Sequence, residues 1–433
     1  MVELLKQLLN EMVGLEGWKV IEIQNESQEL FFIKKKLDMN RSVDVHKYVV
    51  TVYVAFEEEG QRYLGQSQTE VASSMTEEEI KIILNDIKTG ASFVKNKYYP
   101  LPEASDELPE QNETIFSTKP LSHWMPKLAQ AIYKNDHYEA GGINSAELFL
   151  KKKVRRVVTS KGIDVNFTSY DTLVEVIADW NDGKEPVELF YMANFGDYQP
   201  EQLSDKINEL IGESKERAHA VATPSLKGVN VILSGEAVKE LLEYYVVKSS
   251  AKLKYENTSQ FEVGQKLQGE NLQGDALNVT LLPQLEGSSM SAPYDGDGLP
   301  LKAVELIKDG VLQTLVGSAQ YASYLGIEPT GHLSNMRFGL GTKTIEEMKK
   351  EPYIELVSFS AFQMNFLTGD FGGEMRLARY FDGEQLHSVT GGALSANIKD
   401  VQSTMTFSKE EVQHNQYVGP KHILFKGLEI AGD

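Results

Sequence analysis

Apolar residues recur with helix and strand periods through the first half of the chain. Leucines spaced along Glu3 to Met12 place an apolar stripe on one side of a helix. The β-branched run from Val43 to Phe56 predicts a strand, which Glu57 to Gly60 turns back into a second strand from Tyr63 to Ala72. A capping-box sequence at Thr76 predicts a helix reaching about Lys95. Weaker alternation predicts two short strands earlier in the chain, Trp18 to Ile23 and Glu29 to Lys36.

The pattern then repeats after an acidic, proline-containing connector, Tyr99 to Glu113, and a helix from Leu121 to Tyr133. Each element of the second copy follows its counterpart at a nearly constant offset, as a duplication with loop insertions would. The matching pairs are Glu29–Lys36 with Glu147–Lys153, Val43–Phe56 with Ile163–Trp180, and the Thr76 helix with one opening at Gln199-Pro200. We expect two helix–strands–helix units that share one antiparallel sheet; chance similarity between two amphipathic hairpins is the alternative.

The second half is richer in strands. A hinge at His219 to Pro224 separates it from the first, which gives an α+β protein with an N-terminal domain over 1–218 and a C-terminal domain with a mixed or antiparallel sheet over 219–433. One helix is predicted from Glu236 to about Lys248. The predicted strands are Leu226–Leu233, Leu277–Leu282, Lys302–Lys308, Val311–Val316, Tyr353–Met364 (an exposed antiparallel strand), Met375–Phe381, Gln385–Thr390 and His422–Glu429.

Composition narrows the functional classes. The chain of 433 residues has no cysteine, so disulfides, thiolate metal ligands and a cysteine nucleophile are all excluded. Its net charge of −20 opposes binding to nucleic acid. The basic run at Lys151–Lys153 lies on a predicted strand, which would divide its charges between two faces. We expect a cytoplasmic protein, since the N-terminus does not resemble a signal peptide and no apolar run is long enough to span a membrane.

The stretch from Glu286 to Arg337 carries a series of short motifs in a fixed order. They are D-x-D-G at Asp295–Gly298, I-K-D-G-V-L at Ile307–Leu312, Y-L-G at Tyr324–Gly326 and T-G-H at Thr330–His332, followed by T-G-D-F-G-G at Thr368–Gly373 and the ending L-E-I-A-G at Leu428–Gly432. In this order the chain resembles the TldD/PmbA family of peptidase-like proteins, also called modulators of DNA gyrase, firmly from about Gly212 onward. The resemblance is closest to the PmbA/TldE-type subunit.

The resemblance implies zinc chemistry that this chain lacks the residues to perform. Peptidase members carry H-E-x-x-x-H on the helix after the first strand of the second half, and a cysteine near the C-terminus. Aligning that helix on Leu241-Leu242 puts Glu243 and Lys248 at the histidine positions and Tyr244 at the glutamate position. No catalytic residue and no metal ligand are therefore assigned, and zinc is expected only in a partner subunit.

The sequence gives only weak support for another metal-binding or catalytic site. His332, His414 and His422 are isolated histidines, which are more often structural than metal-binding. Glu236, Glu240 and Glu243 share one helix face, for which a solvated surface with a Lys239–Glu243 pair is the simpler interpretation. A peptidase using these carboxylates is the least favoured alternative.

The resemblance implies a function in peptide processing. The first hypothesis is a non-zinc subunit that pairs with a TldD-type relative and helps bind and degrade unfolded peptides. The alternative is a stand-alone homodimeric peptide- or protein-binding protein without catalysis. The residues expected to face the peptide, by family position and turn geometry, are Asp295, Thr330, Gly331, His332, Asp370 and Gly372.

Overall fold

Six long strands form one antiparallel sheet in the first half of the chain. The computed structural model describes residues 1–109, 111–183 and 185–433, so the part of the predicted connector at residue 110 lies outside the described residues. The helices are α1 (Val2–Glu11), α2 (Glu77–Ala91), α3 (Leu121–Tyr133) and α4 (Pro200–Ala218), with a short 3-10 helix at Ile115–Thr118. The strands are β1 (Gly17–Ile33), β2 (Lys36–Glu58), β3 (Gln61–Ala72), β4 (Gly141–Thr159), β5 (Asp164–Trp180) and β6 (Val187–Phe195).

The strand order β3-β2-β1-β4-β5-β6 confirms the two units predicted from the repeat. Each unit has the order helix, three strands, helix, and the units meet where β1 pairs antiparallel with β4, Gln24 opposite Val154. The sheet therefore has approximate two-fold symmetry about its centre. At the start of α2 the predicted capping box is present, with Thr76 and Glu79 exchanging hydrogen bonds.

The separation of Trp18–Ile23 from Glu29–Lys36 as two strands is wrong, because β1 runs unbroken for 17 residues. The polar segment between them, residues 24–28, pairs with β2 on one side and β4 on the other. Its backbone is thus fully paired inside the sheet, and the alternation of apolar side chains is not needed to hold it there. Two separate apolar clusters lie beneath the two ends of this strand, one under each unit.

The second half contains two sheets. Its helices are α5 (Glu236–Lys248), α6 (Ala251–Tyr255), α7 (Ala319–Leu325), α8 (Ile345–Met348) and α9 (Ile398–Val401). Its strands are β7 (Val221–Ala222), β8 (Leu226–Ser234), β9 (Val279–Leu282), β10 (Val304–Lys308), β11 (Val311–Leu312), β12 (Asn335–Phe338), β13 (Tyr353–Met364), β14 (Asp370–Phe381), β15 (Leu386–Thr390), β16 (Ala393–Asn397), β17 (Thr406–Phe407), β18 (Glu411–His414), β19 (Tyr417–Pro420) and β20 (His422–Ala431).

One sheet has the order β11-β10-β9-β12-β19-β18 and the other contains β13-β8-β20-β16-β14-β15-β7. Since β13 also pairs with β14, five strands of the second sheet close into a ring. Both sheets are mixed, with β13 parallel to β8 and β12 parallel to β19. The mixed α+β architecture predicted for this half is confirmed.

Two predicted strands differ from the structure. The expected strand Val311–Val316 is only the two residues of β11. The interpretation of Tyr353–Met364 as an exposed antiparallel strand is correct in its bounds and in its antiparallel pairing with β14. Its exposure is wrong for the first four residues, which are buried and also pair parallel with β8. Only the outer half of β13 is exposed to solvent. Its inner half is enclosed because five strands of the sheet close into a ring.

The C-terminal half packs on the face of the first sheet opposite its helices. Phe167 of β5 contacts Tyr294 with ring centroids 6.5 Å apart, and Lys19 of β1 forms a salt bridge of 2.6 Å with Asp297. Among the described residues, none of the helices combines the length and apolar character needed to cross a membrane.

Candidate functional site

A groove of about 980 Å³ lies between the two halves of the chain. We call it the α5 groove, because α5 forms one wall with the outer part of β13 and the end of β18. The first half supplies the other wall from β6, the edge strand of its sheet, and from α4. The main lining segments fall within residues 190–195, 199–213, 234–243, 355–366 and 412–416, with Arg379, Lys421 and His422.

The turn that leads into α5 determines which side chains enter the groove. Gly235 has φ of 69°, and this left-handed conformation turns the chain from β8 directly into the helix. Leu241 and Leu242 are buried in the core, whereas Glu236, Lys239, Glu240 and Glu243 line the groove. The predicted solvated face is therefore one wall of a cavity, and Lys239 pairs with Glu236 at 3.2 Å rather than with Glu243.

Glu236 is the carboxylate of α5 that has basic partners, Lys239 and His414. Its Oε1 lies 3.1 Å from Nδ1 of His414, at the end of β18. Burial alone would raise the pKa of Glu236, but the hydrogen bond and charge of His414 lower it to about 2. Half of the Glu236 side chain remains exposed, so solvent weakens this pair compared with a fully buried one. Glu236 is thus a fixed negative charge at the start of α5.

Glu240 and Glu243 are carboxylates without a cation beside them. Oε1 of Glu240 accepts the N–H of Met364 at 3.1 Å, which ties α5 to the end of β13. Burial raises the pKa of both carboxyls, and the charge of Glu243 raises that of Glu240 further. Across the groove, burial raises the pKa of Glu213 on α4 to about 7. These groups would be stabilised by a positive charge that entered the groove.

A buried ionic network forms part of the groove wall. Glu355 of β13 is 4% exposed and accepts a hydrogen bond from Lys349 at 2.9 Å. Arg379 of β14 lies 3.6 Å from Glu355 and binds both carboxylate oxygens of Glu216 on α4, the closer at 2.7 Å. The network therefore joins the two halves of the chain and holds α4 against the second sheet.

His422 has an unusual environment in the same wall. Its Nε2 lies 3.7 Å from Glu355, and its Nδ1 is buried without a hydrogen-bond partner among the described residues. Burial lowers the pKa of His422 to about 4, so the ring is neutral near pH 7. The position facing the Glu355 carboxylate favours the proton on Nε2, which leaves a lone pair on Nδ1.

The three residues at the positions equivalent to the lost zinc motif do not lie together. Glu243 lines the groove, but Tyr244 is buried against Phe261 with ring centroids 6.0 Å apart. Lys248 is also buried, and its ammonium donates to the carbonyl oxygen of Thr258 at 2.7 Å. Placing H-E-x-x-x-H instead on the groove-facing side of α5 puts Gly235 and Glu240 at the histidine positions and Glu236 at the glutamate position.

The donor set does not fit a catalytic metal in either register. Catalytic zinc sites usually have three protein ligands, most often histidines with a carboxylate. Here His414 is paired with Glu236 and one oxygen of Glu240 is occupied by the Met364 N–H. Within residues 1–109, 111–183 and 185–433, no three histidine, aspartate or glutamate side chains converge in a way that could hold a metal ion.

The predicted peptide-facing residues form two separate groups, and neither is among the residues that line the α5 groove. Asp295 is buried and accepts the N–H groups of Asp297 and Leu299, so it organises its own turn. It lies against Gly331, where an added Cβ would come within 3.1 Å of the Asp295 Cβ. In the same group, the Thr330 hydroxyl accepts the Gly317 N–H, and His332 is exposed. The second group is Asp370 and Gly372, at the beginning of β14.

Sequence reasoning missed the groove residues Glu355, Arg379, Glu213 and His414 as a group. One signal was available for Glu355, a charged residue inside the apolar run Ile354-Glu355-Leu356. Such a residue within a buried strand needs a partner, and here it has Lys349, with Arg379 nearby. The other groups come from elements distant in sequence, and no local pattern links them.

Sequence comparison finds known proteins that are similar to part of this chain. The model for the "PmbA/TldA metallopeptidase C-terminal domain" matches residues 227–432. The Escherichia coli O157:H7 protein "Metalloprotease PmbA" is 24% identical over 169 residues, and a Haemophilus influenzae homologue is 22% identical over 174. Each alignment takes in 38% of this chain and 38% of the relative, so it spans well under two thirds of those proteins.

Solved structures show the same fold over the whole chain. TldE from Thermococcus kodakarensis superposes with a TM-score of 0.79 at 15% identity, over 99% of this chain and 100% of that one. A Thermotoga maritima protein described as a candidate modulator of a DNA gyrase gives 0.78 at 18% identity, over 99% and 100% of the two chains. The N-terminal half, which lies outside the match at residues 227–432, thus has the fold of these proteins as well.

Proposed function

This chain belongs to the PmbA/TldD family, and from that premise we propose that it is a non-zinc, peptide-binding subunit of a metallopeptidase assembly. A relative that carries H-E-x-x-x-H would supply the zinc ion and the attack on the peptide bond. This subunit would help to hold an unfolded peptide in an extended form. The proposal rests chiefly on the α5 groove, a large cavity at the position of the peptidase helix whose side chains are not arranged as metal ligands.

The size and lining of the groove support binding of a peptide. A cavity of about 980 Å³ is at the upper end of the range for small-molecule sites and has room for a short extended segment. Exposed apolar side chains at Phe190, Met192 and Met290 line it beside the charged groups described above. Such a mixture suits main-chain pairing combined with contacts to individual side chains.

Open strand edges along the groove supply the main-chain partners. β6 is the last strand of its sheet, so one of its edges has no neighbouring strand in the described residues. β8 pairs with β13 only from Tyr353 to Leu356, which leaves the outer half of β13 without β8 beside it. An extended peptide lying in the groove could add as a strand to either edge, with side chains alternating between the two walls.

Chemistry on the peptide bond would come from the partner chain. In such peptidases zinc lowers the pKa of a bound water to about 7 and polarises the carbonyl group. In this chain the Glu236 carboxylate is paired with His414, and the Lys248 ammonium donates to the carbonyl oxygen of Thr258. Neither side chain is therefore free to bind a metal ion or to activate a water. Peptide contacts at Asp295, Thr330, Gly331, His332, Asp370 and Gly372 stay a prediction, as does a cytoplasmic location.

Reconstitution tests the proposal. The purified chain is mixed with a family member that carries H-E-x-x-x-H, and cleavage of an unfolded, fluorogenic polypeptide is followed with and without a zinc chelator. We expect cleavage by the mixture only, abolished by the chelator. Phe190→Asp on the groove wall should reduce it, whereas Phe93→Asp, at an exposed site outside the groove, should not.

Three results distinguish the alternatives. Zinc-dependent cleavage by this chain alone would overturn its assignment as the non-catalytic subunit. Peptide binding by a homodimer that never associates with the zinc-bearing relative would favour the stand-alone binding protein. Failure to bind any unfolded peptide, alone or in the mixture, would rule out both.

A further inference from the structure

The α5 groove carries negative charge that the chain itself leaves unbalanced. Within the described residues, Glu240 and Glu243 have no lysine, arginine or histidine nitrogen within 4.0 Å, while Glu236 is paired with both His414 and Lys239. The two carboxylates lie one helical turn apart on the same wall, and burial together with the charge of Glu243 raises the pKa of Glu240. Apart from the Glu240 oxygen that accepts the Met364 N–H, the carboxylate oxygens of these two residues lack hydrogen-bond donors among the described residues.

An unpartnered nitrogen in the same groove provides independent support. The side chain of His422 is 8% exposed, and its Nδ1 has no partner among the described residues. In the neutral ring the Glu355 carboxylate favours the proton on Nε2, although at 3.7 Å it is not hydrogen-bonded there, and in that tautomer Nδ1 is an acceptor that lacks a donor. Buried acceptors without donors are costly and uncommon, so this wall is built for a ligand or water that donates hydrogen bonds.

Aromatic rings line the same groove as the two carboxylates. The hydrogen bond from Met364 to Glu240 holds α5 against the end of β13, where Phe362 and Phe366 flank Met364 along the chain. Phe359 packs on Phe362 with ring centroids 5.2 Å apart, and all three rings line the groove. A groove lined by both phenyl rings and carboxylates suits a lysine or arginine side chain, whose aliphatic stem can pack on the rings while its cationic end meets the carboxylates.

The cations that the groove already contains are mostly committed elsewhere. Lys206 pairs with Glu209, Lys239 with Glu236, and Arg379 with Glu216. Lys421 is close enough for its charge to lower the pKa of Glu209 on the opposite wall. None of these ion pairs includes Glu240 or Glu243. The charge of Lys239 lowers the pKa of both, but neither carboxylate has a cation of its own, so both are available to a cationic group of a bound molecule.

We propose that the α5 groove selects peptides that carry a basic residue, with Glu240 and Glu243 binding the lysine or arginine side chain against Phe359, Phe362 and Phe366. This inference rests on the proposed peptide-binding function and specifies the class of peptide. The two glutamates are specificity-determining residues and take no part in bond cleavage. A peptide strand added to the open edge of β13 would place every second side chain on the α5 wall.

The test compares three fluorescein-labelled, unstructured peptides of about ten residues that differ at one central position, which is lysine, N-acetyl-lysine or glutamate. Affinity for the full-length chain is measured by fluorescence anisotropy at low salt and at physiological salt. We expect the lysine peptide to bind about tenfold more tightly than the acetyl-lysine peptide, with the difference reduced by salt. The glutamate peptide should bind most weakly.

Glutamine variants locate the effect. Glu240→Gln keeps an acceptor for the Met364 N–H, and Glu243→Gln alters a side chain with no partner of its own, so both should fold normally. Each should lower affinity for the lysine peptide much more than affinity for the acetyl-lysine peptide, and so remove most of the preference for lysine. Glu270→Gln, at an exposed carboxylate outside the groove that pairs with Lys266, is the matched control and should keep the preference.

The outcomes separate this inference from the function on which it rests. Equal affinity for lysine and acetyl-lysine peptides would overturn the preference for basic residues while leaving peptide binding intact. A preference that survives in the Glu240→Gln/Glu243→Gln double variant would assign it to other groups and refute the role of these two glutamates. Absence of binding to all three peptides would count against the proposed function itself.

Discussion

The pKa of Glu213 depends on its burial and on the charged side chains around it in the groove. Glu213 lies on α4 between Glu209 and Glu216, and the charges of both neighbours add to the burial that raises its pKa to about 7. Arg379 partly offsets this effect, but its guanidinium is bound by Glu216. Near neutral pH this carboxyl group therefore changes its charge, which is unusual for a glutamate.

The raised pKa makes folding stability depend on pH in a defined direction. Between the ordinary glutamate pKa of 4.5 and the folded value of about 7, the folded chain binds a proton at Glu213 that the unfolded chain has released. The contribution of this group to stability is therefore present at acidic pH and is lost as pH rises through about 7. Urea unfolding of wild-type protein and Glu213→Gln at about pH 5, 6, 7 and 8 should show the variant more stable by about 1–2 kcal/mol at the highest pH.

Little difference between the two proteins is expected at about pH 5, where Glu213 is protonated and resembles glutamine. Glu107→Gln is a suitable control, since this carboxylate is exposed and lies outside the groove. A stability difference that stays constant from acid to alkaline pH would show that Glu213 does not titrate in this range.

Among the secondary-structure elements, β3 and α4 contain glycines with contrasting surroundings. The α2 end packs so closely on β3 that a Cβ added at Gly65 would lie 1.8 Å from the carbonyl oxygen of Ala91. Gly65→Ala should therefore force the helix and strand apart and destabilise the protein by about 2–4 kcal/mol. In contrast, Gly212 lies within α4, where a Cβ would meet no atom within 4 Å, and Gly212→Ala should stabilise by up to about 1 kcal/mol.

Thermal unfolding followed by circular dichroism measures both effects. The two substitutions add the same methyl group to the same half of the chain, so each serves as a control for the other. Equal shifts in the two variants would contradict the close packing of α2 against β3.

Local patterns predicted most elements of this chain, because helix and strand periods are properties of neighbouring residues. Leu121–Tyr133 has the predicted bounds, and the repeat predicted the pairing of two units in one sheet. The enclosure of β13 and the groove network depend on contacts between distant segments, such as Glu216 with Arg379. Tyr244 and Lys248, which were matched to the lost zinc motif, illustrate the same limit. The match was made by aligning the helix on Leu241-Leu242, and such an alignment does not show which face of the helix is buried in the core.

At the scale of the whole molecule, the α5 groove exists only while the two halves stay docked. Its walls come from β6 and α4 on one side and from α5, β13 and β18 on the other. The contacts that cross between the halves include the Lys19–Asp297 ion pair at 2.6 Å and the Arg379–Glu216 pair at 2.7 Å. Peptide binding and the docking of the halves should consequently be linked.

The distribution of tryptophan allows this docking to be measured. The chain has three tryptophans, Trp18, Trp124 and Trp180, and all belong to the first half. Tryptophan fluorescence therefore reports unfolding of that half, whereas far-ultraviolet circular dichroism reports both. For the wild-type protein we expect the two signals to change together in urea, because contacts such as the Lys19–Asp297 and Arg379–Glu216 ion pairs tie the two halves to each other.

Arg379→Gln removes the cation that joins α4 to the second sheet and leaves Glu355 with less compensation for its burial. Breaking a partly buried pair of this kind costs about 1–3 kcal/mol, and the loss falls on the junction between the halves. The fluorescence and dichroism midpoints should then separate, and peptide affinity should fall with them. Arg156→Gln, which breaks an ion pair with Asp164 inside the first half, should lower stability without separating the two signals. Coincident transitions in Arg379→Gln would mean that the other contacts between the halves, including the Lys19–Asp297 pair, keep the groove assembled without Arg379.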